Sequence, residues 1–277
     1  MRLFEVTVSG ALPALVALML PVAATAEAVA TAGDVAQRIE GVDVVILGEV
    51  HDNPAHHVFQ TDVVEALDPA AIVFEMVTAE EARFVTPDLA ADAEALSEAL
   101  GWAESGWPDF ALYYPLFRQA ARAAVYGAEV PRDVARAAFA EGAAAVFPGD
   151  AARFGLSDPL DPDEQVMREA EQQEAHCNAL PEDILSGFVE AQRLRDAALA
   201  EAALDALEAH GAPVVIVTGN GHARTDWGVP ALLARAAPEV TVFALGQFES
   251  APEGSVPFDA WTVAEPVDRP DPCAALR

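Results

Sequence analysis

Four short runs of mostly apolar, often β-branched residues constrain the fold of this chain more than any other feature. They are Val42–Leu47, Ala71–Phe74, Val214–Val217 and Val240–Leu245. Runs of this length and character are typical of strands buried on both faces of a parallel sheet. Helical patterns separate them. The sequence therefore predicts an α/β fold, with a mostly parallel β-sheet flanked by helices.

The first two runs form a predicted βαβ unit. Asn53 followed by Pro54 is typical of a helix start, and the helix is expected from Ala55 to Leu67. Two weaker strands are predicted at Ala128–Pro131 and at Trp261–Ala264, the latter at a sheet edge.

The middle of the chain is predicted to be mainly helical. The expected helices are 78–84, 91–100, 115–125, 133–145, 164–177, 181–209 and, further on, 229–236. We interpret residues 27–277 as one domain, with a helical insertion or cap subdomain at roughly 78–127 and 160–210.

The N-terminus has the pattern of a secretory signal peptide over residues 1–26. An apolar run spans 11–24, and Ala24-Thr25-Ala26 fits the small-x-small rule, so we expect cleavage after Ala26. The run is shorter than the about 20 residues of a membrane span, although a retained anchor is the alternative. No cysteine lies near this site for a lipid anchor. The sequence thus predicts a periplasmic or secreted protein, not an integral membrane protein.

The chain is strongly acidic, with 45 acidic and 15 basic residues and a net charge of −30. This charge argues against nucleic acid and anionic membranes as partners. Cys177 and Cys273 are the two cysteines. A disulfide between them is open, because the sequence alone does not show that they meet.

Two Gly-x-x-His motifs carry the chemistry of the chain. Gly48–His51 and Gly219–His222 each follow an apolar run directly, and Glu75 follows the second run. The carboxyl ends of parallel strands share one edge, so these side chains are expected to meet there. Two imidazoles and carboxylates suit a divalent metal or an acid–base site. The alternative is that they cap helices and satisfy buried loops.

The remaining histidines give weaker signals. His56 is expected to line the same site, whereas His57 is equally compatible with solvent. His176 and His210 are expected on the surface, although each remains a candidate axial ligand to iron.

The predicted helix 181–209 places four side chains on one face: Phe188, Gln192, Arg195 and Asp196. This face either borders the site or makes local ion pairs in an ordinary amphipathic helix. Arg224 follows His222 and either orients it or binds an acidic group of a ligand.

These motifs together resemble the ChaN-like haem-binding family, within the wider Tiki/TraB and erythromycin-esterase-like group. The resembling stretches are 45–57, 73–76, 190–196 and 219–224, within a region from about residue 40 to about residue 250. The resemblance implies an α/β fold with a helical subdomain, and a b-type haem ligand. It also implies a role in haem or iron uptake in the bacterial envelope.

The resemblance implies specific residues for haem. His51 or His222 would ligate iron, and Arg195 or Arg224 would pair with a propionate. The other expected contacts are His56, Trp102, Trp107, Phe188 and Gln192. In the family, Tyr and His are thought to act across a dimer, so a homodimer is expected. The tyrosines here are Tyr113, Tyr114 and Tyr126.

The relatives in the wider group imply a second hypothesis, a metal-dependent hydrolase of peptidase or esterase type. Glu49 or Glu75 would then be the general base. A divalent metal would be held by His51, Glu75 and His222.

Overall fold

The structure is a computed structural model that describes residues 26–271, 273 and 274. Apart from Ala26, the expected signal peptide lies outside these residues. The centre is a seven-stranded sheet in which every strand pair is parallel, which confirms the predicted α/β fold. The strands are β1 (Glu27–Ala28), β2 (Val44–Glu49), β3 (Ala71–Phe74), β4 (Ala124–Gly127), β5 (Val214–Gly219), β6 (Val242–Phe248) and β7 (Ala260–Val263). Their order is β1-β7-β6-β2-β5-β3-β4.

Both weaker strand predictions need a correction, one in its place along the chain and the other in its place in the sheet. The strand expected at 128–131 is β4, which lies earlier because Ala124–Gly127 pairs residue by residue with β3. The strand expected at the sheet edge is β7, which lies one strand inside it because β1 pairs with β7. Neither β1 nor the helix that follows it was predicted.

The helices of the described residues cover both faces of the sheet. They are α1 (Ala32–Arg38), α2 (Pro54–Leu67), α3 (Ala93–Ala99), α4 (Trp102–Ser105), α5 (Phe110–Phe117), α6 (Arg132–Glu141), α7 (Ala143–Val146), α8 (Pro162–Ala175), α9 (Leu185–His210) and α10 (Val229–Ala236). Short 3₁₀ turns connect several of them.

Several helix predictions change in the middle of the chain, and the helix expected at 78–84 is only a 3₁₀ turn over Glu81–Phe84. The helix expected at 115–125 is α5, which begins earlier because the Asp109 side chain accepts a hydrogen bond from the Ala111 N–H. The helix expected at 133–145 divides into α6 and α7 at Gly142, whose φ of 90° is not helical. The helix expected at 164–177 is α8, which ends at Ala175. The chain then turns at Cys177 and Asn178, which both have positive φ.

Alternate residues of each central strand face two separate apolar layers. In β2, Val45 packs in the layer that includes Val63 of α2, and Ile46 packs in the layer that includes Leu194 of α9. The sheet is therefore buried on both faces. Within the described part of the chain, no helix is both long and apolar enough to cross a membrane.

A disulfide and a set of ion pairs attach the C-terminal segment, which includes Arg269 and Cys273, to the rest of the protein. Cys273 forms a disulfide with Cys177, just after α8. Arg269 donates hydrogen bonds to Asp52, at 2.7 and 2.8 Å, and to Glu249, at 2.6 Å. This segment thus links the loop after β2 to the loop after α8.

Candidate functional site

The strand order brings the two Gly-x-x-His motifs and Glu75 to one edge. Strands β2, β5 and β3 are neighbours, and the motif residues follow their carboxyl ends. Nε2 of His222 lies 3.5 Å from Oε1 of Glu75. Gly219 leaves room for His51, because a β-carbon there would lie 2.8 Å from Nε2 of His51. Both imidazoles therefore lie close to the Glu75 carboxylate.

His51 is oriented by Glu49, which is 2% exposed. Nδ1 of His51 lies 2.7 Å from Oε1 of Glu49, and the Tyr113 hydroxyl donates to the same oxygen at 2.9 Å. With Nδ1 bonded to the carboxylate, Nε2 is the free ring nitrogen of His51, and it lies beside Gly219. Burial and Glu49 both raise the pKa of the Tyr113 hydroxyl, which therefore stays a proton donor.

His222 is oriented by a second carboxylate, Asp196 of α9. Its Nδ1 lies 2.6 Å from Oδ1 of Asp196. Asp196 is buried, and Nη1 of Arg168 lies 3.9 Å from its other oxygen. The site thus contains two imidazoles, each backed by a buried carboxylate, an arrangement common behind metal ligands and general bases.

Glu75 is held as a carboxylate between the two imidazoles. Its Oε2 accepts hydrogen bonds from the Thr218 hydroxyl at 2.6 Å and from the Gly219 N–H at 2.8 Å. Burial disfavours its charge, but His222 and His51 outweigh burial and lower the pKa of Glu75.

The same charges act on the histidines. Burial disfavours the imidazolium form of His222, but Glu75 and Asp196 raise its pKa. For His51, burial is likewise outweighed by the hydrogen bond to Glu49 and the charge of Glu75, and its pKa is raised. The arrangement can therefore store and move protons.

A cleft of about 500 Å³ opens in front of these residues. It is lined by His51, Glu75, Trp107, Arg132, His176, Phe188, Gln192, Arg195 and His222, among others. The Phe188–Arg195 face of α9 therefore borders the cleft. Arg195 has no ion pair within the described residues, and Oε1 of Gln192 is buried without a hydrogen-bond partner. Unsatisfied polar groups in a cleft are available to a ligand.

Three predicted contacts lie elsewhere. His56 is fully buried, and its Nδ1 accepts a hydrogen bond from the Val50 N–H at 3.0 Å. Arg224 is paired with Asp226 and stacks on Trp227, with 3.7 Å from its Cζ to the ring centroid. Trp102 packs in the apolar layer beside Tyr113. These side chains already have their partners within the protein.

The structure also places two further histidines. His57, for which a solvent-facing position was one of two open readings, is buried, because its Nε2 donates to the His51 carbonyl at 2.8 Å and its ring packs on Tyr113. His176 borders the cleft because its ring packs against Phe188 of α9, 4.8 Å between centroids.

His51, Glu75 and His222 were also predicted to bind a divalent metal. Among the described residues, no group of three or more His, Cys, Asp or Glu side chains has the arrangement of a metal site. The metal site stays a prediction.

The sequence profile of a family described as haem-binding uptake, Tiki superfamily, ChaN matches residues 35–233. This match spans more than half of the 277-residue chain. The chain belongs to this ChaN family. No curated protein sequence matches it.

Two solved structures are similar to this chain to different degrees. A ChaN of Campylobacter jejuni, described for cofacial haem binding, is 18% identical with a TM-score of 0.59, over 82% of this chain and 89% of that chain. The type III effector HopBA1 is 12% identical with a TM-score of 0.46, over 87% of this chain and 97% of that chain. The ChaN likeness supports the α/β architecture.

Proposed function

We propose that this protein binds haem in the cleft beside Glu75, in the periplasm, and serves haem or iron uptake. Membership of the haem-binding ChaN family supports the ligand. The observation that carries the proposal is the cleft itself, where imidazoles, an unpaired guanidinium and aromatic rings meet. Haem needs these three kinds of partner, for the iron, the propionates and the porphyrin faces.

The cleft residues fit haem by their chemistry. His51 lines the cleft and has Nε2 free of a hydrogen bond, and the unpaired Arg195 is suited to a propionate. Phe188 and Trp107 offer apolar surface to the porphyrin. Arg224 is the weaker candidate for a propionate because it is paired with Asp226. His222 is 9% exposed and faces Glu75, which suits it to orienting and proton-holding more than to direct contact with a flat ring.

The Cys177–Cys273 disulfide supports the periplasmic part of the proposal, since disulfides persist in oxidising compartments. Cleavage after Ala26 is tested by N-terminal sequencing of protein purified from a periplasmic extract. A mature chain that begins elsewhere, or that stays in the cytoplasm, contradicts it.

The test of haem binding is a hemin titration of residues 27–277 by visible spectroscopy. We expect a saturable Soret band, and about tenfold weaker binding by Arg195→Ala, as for a lost charge-assisted hydrogen bond. Arg224→Ala is the matched control and is expected to bind as the wild type does. Equal losses in both variants would contradict the assignment of Arg195.

A homodimer is part of the same proposal. Sedimentation velocity with and without hemin tests it. A sedimentation coefficient that stays that of a monomer at saturating hemin contradicts the dimer while leaving haem binding intact.

One observation favours a second candidate, a hydrolase. Glu75 lies between two imidazoles that each have a buried carboxylate partner, as acid–base catalysis requires. The test is hydrolysis of p-nitrophenyl acetate with and without Mn²⁺. Activity that is lost in a Glu49→Gln, His222→Ala double variant supports this candidate, and activity that is retained in full eliminates it.

A further inference from the structure

His176 is the third imidazole that lines the cleft, and it comes from the helical part of the chain. It directly follows α8 and borders both the main cleft and the adjoining space of about 430 Å³. Its ring is half-buried and tilted against Phe188. His176 belongs to no motif of the sequence, so only the fold shows that it borders the cleft.

The hydrogen bond of His176 decides which ring nitrogen is open. Nδ1 lies 2.8 Å from the Gln172 carbonyl oxygen. Because a carbonyl only accepts hydrogen bonds, Nδ1 carries the proton, and a neutral ring then has its lone pair on Nε2. A lone pair on a ring nitrogen oriented by a backbone carbonyl is the usual form of a histidine metal ligand.

The other histidines are less suited to meet a porphyrin. Nε2 of His222 faces Glu75, and His57 donates Nε2–H to the His51 carbonyl. His210 lies against the Tyr126 hydroxyl at the far end of α9. His51, whose side chain is 33% exposed, is like His176 in lining the cleft with Nδ1 bonded and Nε2 free of a hydrogen bond.

His176 is also held firmly in place. Its neighbour Cys177 is joined to Cys273, and the same C-terminal segment is tied by Arg269 to Asp52, next to His51. The segment thus connects the loops that carry His51 and His176. A ligand that is held rigidly loses less conformational entropy on binding.

We propose that His176 is an axial ligand of the haem iron, supplied by the loop after α8 and positioned by the Cys177–Cys273 disulfide. The inference rests on the proposed haem binding and names a residue for it. Phe188, which touches His176, would lie against the porphyrin on the same side.

The test compares hemin titrations of the wild type, His176→Ala and His210→Ala, each at residues 27–277. His176→Ala is expected to bind hemin at least about tenfold more weakly than the wild type. Its Soret band should also shift, and added imidazole should restore the wild-type position. His210→Ala is expected to match the wild type. Circular dichroism confirms that both variants are folded.

His176→Met provides a second test, which does not depend on weakened hemin binding. A methionine ligand is expected to raise the reduction potential of the bound haem. A His176→Ala variant with the wild-type spectrum and affinity overturns the inference and leaves haem binding standing. The inference is also overturned if added imidazole does not restore hemin binding by His176→Ala and the reduction potential of the haem bound to His176→Met is unchanged. A wild type without a saturable Soret band overturns the proposed function itself.

Discussion

Nδ1 of His222 lies 2.6 Å from Oδ1 of Asp196, so a carboxylate on helix α9 fixes an imidazole at the end of strand β5. The two residues are 26 positions apart, and both are buried. This pair joins the helical half of the molecule to the sheet edge. The cleft forms where the two meet.

We expect Asp196→Asn to lower the pKa of His222, because burial alone disfavours the imidazolium and Asp196 helps to offset it. NMR titration of the imidazole resonances measures the change. Asp205→Asn, on an exposed position of the same helix, is the matched control. An unchanged His222 pKa in Asp196→Asn would contradict this electrostatic role.

A glycine pair on one loop provides a steric test. A β-carbon at Gly219 would lie 2.8 Å from Nε2 of His51, whereas one at Gly221 would meet nothing within 4 Å. Gly219→Ala should displace the His51 ring and weaken hemin binding by about tenfold or more. Gly221→Ala should leave it unchanged, and equal affinities of the two variants would show that His51 does not contact the ligand.

The charge network predicts a pH dependence of stability. The raised pKa values of His222 and His51 stabilise the fold fully below their ordinary 6.5, and this contribution is lost as pH rises through the folded values. The lowered pKa of Glu75 contributes above its ordinary 4.5 and is lost as pH falls through the folded value. The contribution of this network to the free energy of unfolding is therefore largest between these limits.

Urea denaturation across the pH range measures this dependence. In Glu75→Gln the loss on the alkaline side should shrink, because His222 and His51 no longer gain from the carboxylate. Glu80→Gln, at an exposed position nearby, should behave as the wild type does. Identical pH profiles for Glu75→Gln and the wild type would rule out the coupling.

The disulfide makes a separate prediction about stability. Cys177 and Cys273 are 96 positions apart, and a cross-link over such a loop restricts the unfolded chain. The Cys177→Ser, Cys273→Ser double variant should lose about 2–4 kcal/mol in the free energy of unfolding. Urea denaturation of both proteins measures the difference. A reductant should lower the free energy of unfolding of the wild type only. Equal stabilities would mean that the C-terminal segment adds no constraint.

The sequence predicted the parts of the fold and site that depend on local patterns. Apolar runs marked the central strands, and parallel strands bring their carboxyl ends together, so His51, Glu75 and His222 were expected at one edge. The spacing of Phe188, Gln192 and Arg195 offered a cleft-facing side of α9 as one of two readings. These inferences need only the periodicity of strands and helices.

Other features depend on contacts between distant parts of the chain. The Tyr113 hydroxyl reaches Glu49 across 64 positions, which no local pattern reveals. His176 enters the cleft through the turn at Cys177, whose positive φ and disulfide are set by the tertiary structure. Arg224 was a candidate for binding an acidic ligand group, but it is paired with Asp226, two residues away, and stacks on Trp227.

The central claim is that haem binds in the cleft beside Glu75, and a hemin titration of residues 27–277 tests it most directly. The account predicts a saturable Soret band, weakened in Arg195→Ala and unchanged in Arg224→Ala. A titration with no saturable band, or one in which Arg195→Ala binds as tightly as the wild type, would contradict haem binding at this cleft.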